Sequence, residues 1–153
     1  MNLRTKIDEK YISAFKLNKT EEVNTLRLVR NAIKNKDIDS RSTINTEPIN
    51  DTQILSVLQN MVKQRRDSIE SFKVASRNDL IEKEKKEIEI INQFLPKQLI
   101  RDEIKTIIEK FSFDNKISSI KDMGKIMEHL KSNHSGSIDI RIAAKIAKEL
   151  LNN

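Results

Sequence analysis

Apolar residues recur at every third or fourth position over most of the chain, which is the spacing of one face of an α-helix. Two such patterns precede residue 40, and each begins at a residue that can cap a helix. Asn2 can cap the first helix, and Thr20 can cap the second, where Glu21 and Glu22 lie favourably in the first turn. The predicted inward positions are Leu3, Ile7, Tyr11, Ala14 and Phe15 in the first helix and Leu26, Val29 and Ile33 in the second.

The longest pattern follows residues 40–50, a segment that has no period, contains Pro48 and is predicted to be a surface loop. Asn50 and Gln53 have the spacing of a capping box, and the pattern after them predicts a helix of about 25 residues. Asn78 can cap a fourth helix. The predicted inward positions are Ile54, Leu58, Met61, Ile69 and Phe72 in the third helix and Leu80, Ile81, Ile88, Ile91 and Leu95 in the fourth.

A domain boundary is predicted at Pro96, because the residue before a proline is restricted to extended conformations and a helix usually stops there. Three further helices are predicted beyond it, with Ser119 at the start of the sixth and Asp139 at the start of the seventh. Their predicted inward positions are Ile104, Ile107, Ile108 and Phe111, then Ile120, Met123, Met127 and Leu130, then Ile142, Ile146 and Leu150.

The small number of glycines and prolines favours an all-α fold. Two of each occur in 153 residues, whereas an all-β protein needs many turns that contain these residues. We therefore predict an N-terminal bundle of about four helices in residues 1–95 and a small C-terminal three-helix domain in residues 96–153.

Composition excludes several kinds of chemistry. The chain has no cysteine, so disulfides, thiolate nucleophiles and cysteine-bound zinc are excluded. His129 and His134 do not have the i, i+4 spacing of helical metal ligands, and neither has a serine nearby in the arrangement of a catalytic triad. Two glycines cannot supply a GxGxxG or GxxxxGK phosphate loop. We predict no catalytic residue, no metal and no cofactor.

No apolar run reaches the roughly 18 residues of a membrane span, and the first residues lack the apolar segment of a signal peptide. We therefore expect no membrane association and a cytoplasmic location. The formal net charge of +6 is spread along the chain, which is compatible with weak RNA contact and also with ordinary solvation.

Arg65 lies on the apolar face of the predicted third helix, between Met61 and Ile69. An inward arginine needs a partner, because an unpaired buried charge is very costly. If the third and fourth helices form a hairpin, Glu87 comes within one turn of Arg65. A structural ion pair is the favoured interpretation, and a binding role for Arg65 is the alternative.

Basic residues form rows on three predicted helices. Such rows can follow a phosphate backbone, but a solvated helix face has the same pattern. Aromatic residues make up only 4% of the chain, and most phenylalanines fall at core spacing, so any RNA would be bound through phosphates and shape, not through base stacking. The candidate nucleic-acid-binding residues are Arg27, Arg30, Lys34, Lys121, Lys125, Arg141 and Lys145.

Several short blocks, in order and at matching distances, resemble the YqeY family. The blocks are Leu26-Arg27 with Ala32-Ile33-Lys34, Val62 to Ile69, Arg77-Asn78-Asp79-Leu80, Phe94 to Leu99 and Lys121 to Met127. The resemblance runs from Leu3 to Leu151. Members of this family are stand-alone relatives of the tail domain of GatB, a component of the tRNA-dependent amidotransferase.

The resemblance implies two helical domains joined at Pro96, and an association with tRNA or with the amidotransferase. That enzyme is a carbon–nitrogen ligase with glutamine as amido-N donor, and its catalytic parts lie on domains that have no counterpart in this chain. Gly124 belongs to a block shared with the tail domain, where a missing side chain would let another helix or an RNA backbone approach closely. Ile100 departs from the pattern, because relatives commonly have a capping serine or threonine there.

The residues leave more than one function open. The first is a tRNA-associated accessory protein that uses the basic rows. The second is an adaptor whose helix grooves bind a helix of another protein, in which case the lysines only solvate the surface. An independent enzyme is a third possibility, for which the residues offer no support.

Overall fold

The structure, a computed structural model, describes residues 2–152, which form seven α-helices and one short 3-10 helix and contain no β-strand. The prediction of an all-helical protein is confirmed. Within this range, no helix has both the length and the apolar character needed to cross a membrane. The helices are α1 (Leu3–Lys16), α2 (Thr20–Asp39), α3 (Asp51–Val74), α4 (Asn78–Asn92), α5 (Arg101–Asp114), α6 (Met123–Asn133) and α7 (Ile140–Leu151), with the 3-10 helix at Ile120–Asp122.

The chain divides into two compact units, Met1–Leu95 and Pro96–Asn153. In the first unit α3 packs on α4 and α1 packs on α2, while in the second α7 packs on both α5 and α6. Each unit has its own apolar core. The core of the first contains Ile7, Val29, Ile33, Ile49, Ile54, Leu58, Met61, Val62 and Ile91, and the core of the second contains Ile104, Ile108, Ile117, Ile126, Leu130, Ile138, Ala143, Ile146 and Ala147.

Three helices begin with the capping hydrogen bonds that the sequence indicates. The Asn2 side chain accepts from the backbone N–H three residues further on, at 2.8 Å. Asn50 and Gln53 form both hydrogen bonds of a capping box, each 2.9 Å long. Asp139 accepts from the second N–H after it, also at 2.9 Å. These side chains satisfy donors that have no partner within the first turn of a helix.

The predicted caps at Thr20 and Asn78 are wrong by one position, because each is the first residue of its helix and the residue before it stands at the N-cap. The end of the preceding helix explains the shift. Asn18 and Ser76 adopt positive φ values of 55° and 56°, and the next N–H returns to a carbonyl of the helix that is ending. This motif usually contains glycine, so the sequence carries no signal for it at these two turns.

Three predicted core residues face the solvent. Ile120, which lies in the 3-10 helix and not in α6, is 42% exposed. The other two lie in α-helices. Phe15 is 61% exposed and Ile142 is 45% exposed, while their neighbours Ala14 and Ala143 are buried. In each case two adjacent residues fit the periodic pattern, and the smaller one occupies the helix contact. Interaxial distances depend on the side chains at the contact, so alanine there lets the helices pack closely and turns the larger neighbour outward.

The segment after Pro96 is bound to the loop between α6 and α7 within the second unit. The Leu99 N–H donates to the Ser137 carbonyl at 2.8 Å, and the Gln98 side chain donates to the Gly136 carbonyl. Gly136 has a φ of 78°, a conformation that glycine adopts without steric cost. These contacts fix the chain immediately before α5.

The start of α5 lacks a capping side chain, because Ile100 occupies the N-cap position. Glu103 compensates in part, since its carboxylate accepts from the Ile100 N–H at 3.3 Å.

Ser119 does not start α6 as predicted. Its hydroxyl accepts from the Lys121 N–H at 3.2 Å and caps the 3-10 helix. The sixth α-helix therefore begins only at Met123.

Arg65 lies against Glu87 in the contact between α3 and α4. The distance from Arg65 Nε to Glu87 Oε2 is 2.8 Å, and the two side chains are only 13% and 15% exposed. A second N–H of the guanidinium donates to the Met61 carbonyl at 3.1 Å. The charge on the apolar face of α3 is thus both paired and hydrogen-bonded, which is the condition for burying it.

Candidate nucleic-acid interface

A cleft of about 330 Å³ lies between α1 and α2 in the first unit. Ile7 and Ile33 form an apolar part of its lining, and both are buried. Polar and charged residues form the rest. These are Arg4 and Asp8 from α1 and Arg27, Arg30, Asn31 and Lys34 from α2. The predicted residues Arg27, Arg30 and Lys34 therefore line one concave site.

Carboxylates hold two of the arginines of this cleft in place. Arg4 makes two hydrogen bonds to the Asp37 carboxylate, each 2.9 Å long, and Arg30 Nε donates to Asp8 at 2.9 Å. Arg30 also lies over the ring of Tyr11, with 4.3 Å between the guanidinium carbon and the ring centroid, which is within the range of a cation–π contact. Both guanidinium groups are thereby oriented.

The other two cations of the cleft, Arg27 and Lys34, form no ion pair with a carboxylate of residues 2–152. Arg27 reaches the Tyr11 hydroxyl, at 3.5 Å. The hydrogen bond from Arg27 and the charges of Arg27 and Arg30 hold the pKa of the Tyr11 phenol below its usual range. The positive charge of Arg27 and Lys34 is therefore available to an anionic ligand.

Asp37 connects α1, α2 and the end of the loop at residues 40–50. In addition to Arg4, its carboxylate accepts from the Ile49 N–H at 2.9 Å, and Arg4 donates to the Ile49 carbonyl at 3.3 Å. The hydrogen bonds from Arg4, and then the one from Ile49, hold the pKa of Asp37 below its ordinary value. The same contacts that orient Arg4 thus fix the chain before α3.

Replacing Asp37 with asparagine is expected to lower the free energy of unfolding at neutral pH by about 1–2 kcal/mol, since charged hydrogen bonds are lost. The folded pKa lies below the ordinary 3.8, so the carboxylate stabilises the protein above that pH and loses its effect as pH falls through the folded pKa. Urea unfolding between about pH 7 and pH 3 should show a shallower decline for D37N than for the wild type. The matched control is Asp67→Asn at an exposed ion pair, and an equally steep decline in D37N would contradict the assignment.

Three residues of the cleft, Arg4, Asp8 and Asn31, are not among the candidate residues that the sequence predicts. Arg4 and Asp8 are one helical turn apart, so the sequence contains a signal that they share a face. The packing of α1 on α2 brings this face beside Arg27, Arg30 and Lys34. The periodicity of either helix alone does not reveal how the two helices pack.

The basic residues of the second unit lie on three elements. Arg141 and Lys145 are exposed and one turn apart on α7. Lys125 lies on α6 and pairs with Asp122 at 3.6 Å. Lys121 belongs to the 3-10 helix, and α6 starts two residues after it. The basic row predicted for the sixth helix is therefore divided between two elements.

Gly124 lies in the first turn of α6 and is open to the surroundings. A Cβ atom added there would meet no heavy atom within 4 Å. No helix of the second unit packs closely against Gly124, because α6 packs through Ile126 and Leu130, which are buried on another face. Close packing of a partner's helix at Gly124 stays a prediction. Close approach of an RNA backbone to Gly124 stays a prediction.

The two histidines belong to the packing of the second unit. His129 stacks on Phe111 with 4.2 Å between the ring centroids, and the His134 ring lies 6.1 Å from that of His129. In the part of the chain that the structure describes, no cluster of three or more His, Cys, Asp or Glu side chains could hold a metal ion. The chemistry that the basic residues of both units offer is the binding of anions.

Residues 4–151 match the sequence pattern of the family described as Yqey-like protein. The chain belongs to the Yqey-like family. The match includes residues of both units and confirms the resemblance noted from the sequence blocks. It therefore assigns the whole described fold, with its cleft on α1 and α2 and its basic residues on α6 and α7, to a single family.

Several curated fungal proteins are similar to this Yqey-like chain. One of Lachancea thermotolerans, named Altered inheritance of mitochondria protein 41, mitochondrial, is 34% identical over 94 residues, which are 61% of this chain and 46% of the relative. An uncharacterized protein of Schizosaccharomyces pombe is 32% identical over 95 residues, or 62% of this chain and 73% of the relative. A protein of Eremothecium gossypii with the same name as the first is 35% identical over 71 residues, or 46% and 37%. The chain thus spans less than half the length of two of these three relatives.

Proposed function

We propose that this Yqey-like protein is a helical accessory protein that associates with tRNA and with tRNA-dependent amidation. The observation that carries the proposal is the exposed pair Arg141 and Lys145 on α7, in a unit that resembles the tail domain of the amidotransferase component GatB. Neither side chain forms an ion pair within residues 2–152. Two unpaired cations at helical spacing can each neutralise a phosphate of an RNA backbone.

The start of α6 offers a second, weaker contact for the same ligand. Lys121 and Lys125 are exposed, and Gly124 between them presents no side chain. An RNA backbone could therefore approach the peptide there more closely than at any other residue type. The Asp122 carboxylate offsets part of the charge of Lys125, so we expect Arg141 and Lys145 to contribute more to affinity. In the first unit, Arg27, Arg30 and Lys34 would add phosphate contacts.

Titration with total tRNA at increasing salt concentration tests the proposal. Phosphate contacts predict that the logarithm of affinity falls linearly with the logarithm of salt concentration, with a slope of about −0.9 for each phosphate neutralised. The R141Q/K145Q variant should therefore bind about tenfold or more weakly at low salt, with a slope that is less steep by about two.

The control variant is K110Q/K131Q, which removes the same charge from exposed positions on α5 and α6. This variant should bind tRNA like the wild type. Absence of tRNA binding at low salt, or equal losses in the two double variants, would contradict the proposed contact.

In amidation, the proposed role of this chain is to assist the amidotransferase. In the proposal the amidotransferase performs the carbon–nitrogen ligation with glutamine as amido-N donor, and this chain contributes contact to tRNA. A glutamine-dependent amidation assay with and without the amidotransferase separates the roles. Amidation by the purified chain alone would overturn the accessory role and make the chain an enzyme.

A second candidate function is that of a protein-binding adaptor, and exposed apolar residues on the first unit favour it. Ile12, Phe15 and Leu17 lie at the C-terminal end of α1 and just after it, and each is at least half exposed. A partner helix could cover such residues. Capture of a protein partner that persists after nuclease treatment and is lost in F15S would support this function over tRNA association.

The proposed compartment is the cytoplasm. The names of several fungal relatives include the word mitochondrial, which describes those proteins. Fluorescence microscopy of the tagged full-length protein in its own cells distinguishes the two compartments.

A further inference from the structure

The cleft between α1 and α2 carries a surplus of positive charge. Arg4, Arg27, Arg30 and Lys34 line it together with one carboxylate, that of Asp8. The Asp37 carboxylate pairs with Arg4, which leaves two positive charges without a counterpart. They belong to Arg27 and Lys34, the two cations that form no ion pair with described carboxylates.

The arrangement of these residues is that of a small binding site. Residues 27, 30, 31 and 34 have the i, i+3, i+4, i+7 spacing of one helix face. Arg27 and Lys34 are separated by about 10 Å along the axis of α2, with Arg30 and Asn31 between them. Because the Asp8 and Asp37 carboxylates orient Arg30 and Arg4, part of the site is organised before any ligand arrives, which lowers the entropic cost of binding.

We propose that this cleft binds the phosphate of a phosphomonoester, carried either by a free sugar phosphate or nucleotide or by the 5′ end of an RNA. A phosphomonoester has a charge of about −1.5 to −2 at neutral pH, which matches the surplus of two positive charges. A phosphodiester of an RNA chain carries one. The free-ligand form of the proposal is independent of the tRNA association proposed above, and the RNA-end form rests on it.

The size and lining of the cleft agree with a small ligand or a chain end. Its volume of about 330 Å³ is at the lower end of the range of about 300–1,000 Å³ for small-molecule sites, whereas a duplex needs an extended surface. Ile7 and Ile33 close the floor of the cleft, and because both are buried in the core of the first unit, a ligand would contact the polar and charged residues of the rim. Asn31 adds an amide that can donate to a phosphate oxygen or to a hydroxyl.

Tyr11 supplies a probe at the edge of the site. It is the single tyrosine of the chain, and the chain has no tryptophan, so tyrosine fluorescence and phenol absorbance report on this residue alone. Tyr11 contacts Arg27 and Arg30. An anion bound to these arginines should alter the fluorescence of Tyr11 and raise its pKa toward the usual range, because it offsets the charges that lower it.

The first experiment titrates the protein with ribose 5-phosphate and with ribose, neither of which absorbs where tyrosine does. We expect a saturable change in Tyr11 fluorescence and a raised Tyr11 pKa with ribose 5-phosphate and no change with ribose. The R27Q/K34Q variant should bind ribose 5-phosphate at least about tenfold more weakly, because two charge-assisted contacts are lost. Lys36→Gln removes an exposed cation of the same helix outside the cleft and should leave the affinity unchanged.

The second experiment compares short RNAs that carry a 5′-phosphate or a 5′-hydroxyl, each labelled at the 3′ end and followed by fluorescence anisotropy. A preference for the 5′-phosphate that disappears in R27Q/K34Q identifies an RNA end as the ligand. Equal affinities for the two RNAs, together with binding of ribose 5-phosphate, identify a free phosphomonoester. Both results support the cleft as a phosphomonoester site.

Two results would overturn the proposal. One is equal responses to ribose 5-phosphate and ribose together with equal affinities for the two RNAs, and the other is unchanged binding of the phosphorylated ligand in R27Q/K34Q. These failures differ from failure of the tRNA association. That proposal is tested by R141Q/K145Q, whose substitutions lie in the second unit. Binding of ribose 5-phosphate by R141Q/K145Q with wild-type affinity is expected.

Discussion

Replacing Leu58 with alanine is expected to lower the free energy of unfolding by about 3–4 kcal/mol, because the loss of a buried leucine removes apolar burial and leaves a cavity. Leu58 lies on α3 with 0% exposure, inside the apolar core of the first unit. The other residues of that core come from all four helices of the first unit and from Ile49 of the loop, so none can move freely to fill the space. Urea unfolding followed by circular dichroism measures the change.

The control for this prediction is Leu28→Ala on α2. Leu28 is 46% exposed, and the same chemical change there should alter the free energy of unfolding by no more than about 0.5 kcal/mol. Equal losses in the two variants would mean that Leu58 is not in a packed core, and the description of the first unit would then need revision.

Replacing Glu87 with leucine should lower the free energy of unfolding by about 3 kcal/mol, because it leaves the Arg65 guanidinium charged, mostly buried and without its carboxylate. The present pair is 2.8 Å long. The hydrogen bond from Arg65 to the Met61 carbonyl satisfies one N–H group but does not neutralise the charge. Chemical denaturation at neutral pH gives the value, with Glu82→Leu at an exposed position of the same helix as the matched control.

A double variant distinguishes the net contribution of the Arg65–Glu87 ion pair to stability from the cost of leaving one buried charge without a partner. When both charges are replaced by apolar groups of similar size, as in R65M/E87L, no buried charge remains without a partner. We expect this variant to regain most of the stability that E87L loses. If the double variant were as unstable as E87L, the loss would come from the shape of residue 87 and not from its charge.

Much of the helical architecture could be predicted because the signals are local. Capping at Asn2, Asn50 and Asp139 needs a side chain and an N–H within three residues, and the structure contains all three caps. The apolar periods are equally local, and seven stripes correspond to seven α-helices in residues 2–152. The scarcity of glycine and proline limited the alternatives further.

The predictions were wrong where two adjacent residues fit the apolar period equally well, or where a turn lacks the glycine that usually marks it. Phe15 and Ala14 fit the same stripe, and only the approach of α2 decides that alanine faces inward. The turns at Asn18 and Ser76 use left-handed backbone without glycine, so the residue that caps the next helix could not be located. In both cases tertiary packing decides between conformations that are similar in local energy.

The candidate site was predictable only in part, for the same reason. Arg27, Arg30 and Lys34 repeat along one helix, and a row of this kind can be found from spacing alone. Arg4 and Asp8, which also line the cleft, come from another helix, and Asp37 pairs with Arg4. Ion pairs between residues more than twenty positions apart therefore determine which cations of the cleft remain unpaired and can bind an anion.

The anchoring of Ile49 by Asp37 and Arg4 has a consequence for how the chain can tolerate change. The stretch from Arg41 to Glu47 is exposed throughout, and its last fixed point before α3 is this pair of contacts. Additional residues in the stretch would lengthen a closed loop, at an entropic cost that grows only slowly with length, while both ends stay where they are. An affinity tag or a fluorescent label could therefore be inserted between Ser42 and Glu47, at positions that do not line the cleft, to attach the protein to a surface in its native fold.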